Sequence, residues 1–139
     1  WNIVDIDGEP YQLDVTWDIG TVKARKIIYD YFNLTDSLMN LEHRSENILP
    51  KCNKSSANYF VKAKCDFYTR YGLSRHIQKQ IERGKKEIFF RINGMLKKEN
   101  IIDMVDAILR QKYQSTETIR VGFSYSSNEK IGVYYIRIN

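Results

Sequence analysis

Asp7-Gly8 stands between two alternating runs, NIVDI and EPYQLDVTWD, and nothing else in the sequence constrains the fold so tightly. A two-residue type I′ turn needs positive φ at both positions, and Asp-Gly meets that need with a twist that suits the flanking strands. With this turn the register follows: Ile6 faces Glu9 and, counting outward, Trp1 faces Asp14. On the second strand Tyr11, Leu13, Val15 and Trp17 share one face, and Gln12, Asp14, Thr16 and Asp18 share the other. By spacing alone, Asp14 is an acid on the polar face of a strand, turned to solvent.

Past the hairpin, residues 19–58 carry little regular pattern. YDYFNLTDSLMNLEHR reads as a short extended piece and then a helical turn capped by Thr35 or Asp36, with Leu38, Met39 and Leu41 inward. ENILPKCNKSSAN reads as loop, broken by Pro50 and the Asn/Ser cluster. Residues 59–68 (YFVKAKCDFY) read as extended and open a new unit. Ser74 is positioned to cap a helix carrying Leu73, Ile77 and Ile81, which Gly84 stops. KKEIFFRI predicts a strand with Ile88, Phe90 and Ile92 on one side. Residues 95–112 predict the longest helix, burying Ile101, Ile102, Val105, Ile108 and Leu109. TIRVGFSYS and IGVYYIRI pair as a hairpin across Ser127-Asn128-Glu129-Lys130. The expected class is α+β. Residues 1–58 hold a hairpin and loops, and residues 59–139 form a small α-β-α-β-β domain with an antiparallel sheet.

Charge is unevenly placed. Residues 1–22 hold Asp5, Asp7, Glu9, Asp14 and Asp18 with no Lys or Arg, while residues 73–112 hold ten Lys or Arg against five Asp or Glu. Such a basic stretch is either the solvated side of amphipathic helices or a surface for an anionic partner, an envelope polymer or nucleic acid. Arg75, Lys79, Arg83, Lys85, Lys86, Lys97 and Lys98 would form that surface, with Tyr125, Tyr134 and Tyr135 as stacking platforms. The sequence shows no aromatic RNA-recognition signature and no Gly-x-x-Gly loop, which argues against nucleic acid. No apolar run is long enough to span a bilayer.

Cys52 and Cys65 stand thirteen positions apart, compatible with two reduced thiols or with one disulfide. His43 and His76 lie at no metal-ligand spacing from them and read as surface residues. Neither cysteine has the setting of an activated nucleophile, since Cys52 follows Pro50-Lys51 in a loop and Cys65 lies in an extended segment.

WNIVDIDGEPYQLDVTWD resembles the second half of the core of bacterial transglutaminase-like proteins, a superfamily with a papain-like Cys-His-Asp triad. The Trp-Asn of the family's H-A-W-N-x-V motif matches Trp1-Asn2, its D-G turn matches Asp7-Gly8, and its x-D-V-T-W-D strand places the triad aspartate on Asp14. YDYFNLTD (29–36), His43 and PKCNKSSANYF (50–60) resemble the family's continuation, so the likeness covers residues 1–60. The family's histidine would stand two positions before Trp1, and its cysteine further upstream. The expectation is therefore a C-terminal piece of such a protein, inactive alone. A residue two places before Trp1 would oppose Thr16, on the strand face that carries Asp14. In the intact protein the resemblance implies a thiolate attacking a carboxamide or peptide carbonyl of a protein or peptide substrate. A histidine would move the proton and Asp14 would orient the imidazole. It implies no metal or cofactor, and an extracellular or cell-envelope location in a bacterium.

Overall fold

The computed structural model describes residues 1–20, 29–44, 50–94, 96–114 and 121–139. The chain divides into two compact units, Trp1–Lys64 and Cys65–Asn139, and the class is mixed α+β.

In the first unit β1 (Asn2–Ile6) and β2 (Glu9–Leu13) form the antiparallel hairpin in the expected register, from Ile6 opposite Glu9 to Asn2 opposite Leu13. Asp7 at φ 55° and Gly8 at φ 83° make the turn, and Asp5 Oδ1 accepts the Gly8 amide at 2.9 Å. The second strand is shorter than its alternation implies. It ends at Leu13, and Val15–Gly20 form a short helix, α1. Gln12 is buried as deeply as Tyr11. Gln12 and Leu34 exchange both backbone hydrogen bonds, at 2.9 and 2.7 Å, so a further piece of chain lies along β2.

Thr35 caps α2 (Asp36–Met39) by accepting the Leu38 amide at 3.3 Å. Met39 is buried as expected, but Leu41 is exposed because it lies past the helix end. Tyr59–Lys62 are a helical turn, α3, rather than extended, because Asn58 accepts the Phe60 and Val61 amides and starts a helix there. This turn belongs to the first unit, whose boundary falls after Lys64 rather than after residue 58.

The second unit runs β3 (Asp66–Phe67), α4 (Arg70–Glu82), β4 (Glu87–Ile92), α5 (Lys98–Tyr113), β5 (Phe123–Asn128), β6 (Val133–Ile138), with sheet order β3-β4-β6-β5. The extra strand β3 makes the sheet mixed: β3 pairs parallel to β4, and the other neighbours are antiparallel. Helix α4 is capped five positions before Ser74, because the Thr69 hydroxyl accepts the Gly72 amide at 3.0 Å and opens it at Arg70. Its stripe of Leu73, Ile77 and Ile81 is buried as the spacing implies, each such side chain contributing about 1.5–3 kcal/mol. In α5 the buried stripe is Ile101, Met104, Val105 and Leu109, while Ile102 and Ile108 are half-buried. Ile88, Phe90 and Ile92 of β4 lie in the core. Met95, where the α5 segment was expected to begin, and Thr118–Arg120 of the expected strand lie outside the described residues. No helix among the described residues is long and apolar enough to cross a membrane.

Candidate functional site

The chain leaves the sheet at Asp14, and the sequence accounts for the change of direction. An aspartate is a preferred N-cap. Here its Oδ1 accepts the Trp17 amide at 3.0 Å, and its carbonyl accepts the Asp18 amide at 3.1 Å. Its own amide donates to the Tyr31 carbonyl at 3.0 Å, continuing the bonding that Gln12 makes with Leu34. Asp14 is only 4% exposed. The expectation of a solvent-facing acid on a strand is therefore overturned: Asp14 is a buried helix cap.

His43 reaches Asp14 from the other side. The Thr35 cap fixes where α2 begins, and the His43 amide donates to the Met39 carbonyl at 2.9 Å, so the chain keeps its helical curl past Asn40. The His43 side chain then turns inward. At 5% exposure it is not a surface residue. Its Nε2 lies 2.8 Å from Asp14 Oδ2.

Aromatic rings wall the imidazole. Trp1 meets it edge-on at 4.8 Å, Trp17 lies tilted at 4.2 Å, and Tyr31 stands at 5.3 Å. Trp1 is tied back through Nε1, which donates to Gln12 Oε1 at 2.8 Å, and Gln12 Nε2 donates to Asp36 Oδ1 at 2.5 Å. The Tyr31 hydroxyl donates to Glu42, and its amide to Asp18 Oδ1 at 3.0 Å. Among the described residues His43 Nδ1 has no hydrogen-bond partner. A buried polar atom left so costs about 1–3 kcal/mol.

Burial pushes the Asp14 carboxyl upward, but the Trp17 amide and the His43 hydrogen bond outweigh it and hold the group below the ordinary value. The site is a carboxylate kept ionised out of water, with an imidazole on one oxygen and a backbone amide on the other. Such a carboxylate can orient an imidazole. Among the described residues no nucleophile is bonded to it.

The two cysteines do not supply one. Both are free and buried. Burial raises the Cys52 thiol to about 11, with the Asp36 carboxylate adding to the effect, and its Sγ contacts the Pro50 carbonyl at 3.7 Å. Burial raises Cys65 to about 12, assisted by Asp66 and opposed by Arg91. Thiols so placed are inert at neutral pH. His76 is half-buried against Phe67, ring centroids 4.8 Å apart, and burial lowers its pKa against the pull of the Phe89 backbone.

The basic surface is narrower than its sequence suggests. Arg75, Lys79, Arg83, Lys85, Lys86 and Lys97 are exposed, but Arg75 donates to the Tyr71 hydroxyl at 3.2 Å and Lys98 pairs with Glu129 at 3.0 Å. Tyr134 is buried and stacked on Phe90 at 5.5 Å, so it offers no face to a base. Tyr125 is exposed and Tyr135 half-buried.

His43 is the residue that spacing could not find. It sits twenty-nine positions from Asp14, and nothing in LEHRS marks its side chain as inward. No protein-family model matches the chain, and no curated protein matches it.

Proposed function

We propose that this chain carries the aspartate of a transglutaminase-like thiol acyl-transfer centre, Asp14, in a protein whose nucleophilic thiol lies outside residues 1–139. The observation that carries the reading is the buried, ionised Asp14 carboxylate with an imidazole nitrogen 2.8 Å from Oδ2. A buried carboxylate held ionised and able to accept from an imidazole is what a Cys-His-Asp triad asks of its aspartate. The resemblance of residues 1–18 to the family's motif supports the same position, and the inert state of Cys52 and Cys65 supports a thiol from elsewhere.

In the complete centre the cysteine proton passes to an imidazole and the thiolate attacks a carboxamide or peptide carbonyl of a protein or peptide substrate. The amine or ammonia leaves with that proton, and a second amine or water takes the acyl group from the thioester. Asp14 stays ionised throughout. Its task is orientation and charge.

A glutamine-donor peptide and a fluorescent amine test the proposal. Residues 1–139 alone should give no labelled product. The full-length protein containing them should, and Asp14→Asn in it should cut turnover about 10³–10⁴-fold. Near-normal turnover of that variant would overturn the reading.

A further inference from the structure

A histidine placed merely to fill space would have both ring nitrogens satisfied or one open to water. His43 has neither. It is 5% exposed, Nε2 is spent on Asp14 Oδ2 at 2.8 Å, and Nδ1 is buried with no hydrogen-bond partner among the described residues. This asymmetry decides the tautomer. A proton on Nδ1 alone would leave that N–H without an acceptor and turn the Nε2 lone pair on a carboxylate, two unfavourable contacts at once. A proton on Nε2 makes a charge-assisted bond and leaves only a lone pair among aromatic rings. The neutral ring is therefore a one-way donor to Asp14.

The carboxylate is held at two points that differ in kind. Trp17 backbone N–H on Oδ1 comes with the first turn of α1. His43 on Oδ2 comes from beyond α2 and has no local reason to be there. Two ionised oxygens offer about four acceptor sites, and the described contacts of the side chain take one on each. Acceptor capacity remains for a second imidazole.

We infer that His43 is a positioning residue for Asp14: fixed as the Nε2–H tautomer, it clamps the carboxylate in one orientation and leaves the remaining acceptor sites for the imidazole that moves protons. This rests on the acyl-transfer reading for its purpose, but not for its geometry. His43 does not exchange protons with substrate, because Trp1, Trp17 and Tyr31 enclose its ring. It acts through Asp14.

Two measurements test the inference. In the 139-residue chain, long-range proton–nitrogen NMR of the His43 ring at alkaline pH should show Nε2 protonated and Nδ1 bare. A ring protonated mainly on Nδ1 overturns the inference whatever the protein catalyses. In the full-length protein, His43→Leu should lower kcat about 10–100-fold with KM little changed. His43→Gln, whose side-chain NH₂ can donate from the place of Nε2, should recover to within about threefold of wild type. A Gln variant as inactive as Leu would make His43 an acid–base group and overturn the positioning role, as would a Leu variant with full turnover. If wild type shows no acyl transfer, or Asp14→Asn leaves it unchanged, the acyl-transfer reading fails, and the tautomer measurement alone decides whether His43 clamps Asp14.

Discussion

Arg91 holds Asp66 with two parallel bonds of 3.0 Å, Nε to Oδ1 and Nη2 to Oδ2, across the point where β3 pairs with β4. Both side chains are almost wholly buried, and Asn93 donates to the same carboxylate. A buried pair is a modest net stabiliser when intact, but an expensive one to halve. Asp66→Ala should cost about 3–5 kcal/mol by urea denaturation, while Asp66→Leu combined with Arg91→Met should recover most of it. A loss below about 1 kcal/mol for Asp66→Ala would show that water reaches the guanidinium.

Asp14→Asn should also destabilise the chain, by about 1–3 kcal/mol. Asparagine is a competent cap, but its one oxygen can take the place of Oδ1 or of Oδ2 and not both, so with the cap kept its NH₂ faces His43 Nε2. A solvent-facing acid would give no such loss, so a change near zero would place Asp14 back at the surface.

The same pair has a signed pH dependence. Asp14 sits below its ordinary value of 3.8 in the folded state, so its contribution is present above about pH 4 and disappears as pH falls through the folded value. Wild type should therefore lose more stability than Asp14→Asn between about pH 6 and about pH 2. Parallel losses would mean that the carboxylate gains nothing from its partners.

Thiol labelling checks the cysteines. With Cys52 raised to about 11 and Cys65 to about 12, thiolate at about pH 8 is on the order of one part in a thousand or less. An aromatic disulfide reagent should react with neither in the native protein and with both in denaturant. Rapid native labelling of Cys52 would reopen it as a nucleophile.

Gly132 tolerates no side chain. Its φ is +74°, and an added Cβ would lie 2.3 Å from the Ile92 carbonyl oxygen, in a stretch where the Ile92 amide donates to the Gly132 carbonyl at 2.9 Å. Gly132→Ala should cost about 2–4 kcal/mol, combining backbone strain with a broken contact. Gly84, also at positive φ but with open space around it, should lose only about 1 kcal/mol on the same change.

What the sequence made legible follows from how local each cause is. Asp7-Gly8 encodes positive φ in two adjacent residues, so turn and register could be read directly. The stripe Leu73, Ile77, Ile81 is legible because period and burial share one helix. Asp14 is illegible for the opposite reason. Val15, Thr16, Trp17 and Asp18 alternate like a strand, and their curl into a helix depends on a cap engaged by Tyr31 and His43, far along the chain. β3 is not legible because two residues carry no period, and they become a strand only through the Arg91 and Asn93 amides, which donate to the Cys65 and Phe67 carbonyls. Thr69 and Ser74 are both plausible caps, and the choice depends on an amide that spacing does not reveal.

The parallel seating of β3 beside β4 has a kinetic consequence. β5 and β6 are close in sequence and pair through a short connection, so their closure is fast. β3 reaches β4 only after the thirteen residues of α4 have folded back across the sheet, and the entropy of closing that larger loop is lost before any bond is gained. A β3 that docks after the barrier would make loss of the Asp66–Arg91 pair appear as faster unfolding at a nearly unchanged folding rate, a latch on the lifetime of the second unit; refolding of Asp66→Ala slowed in stopped flow would instead put β3 in the folding nucleus.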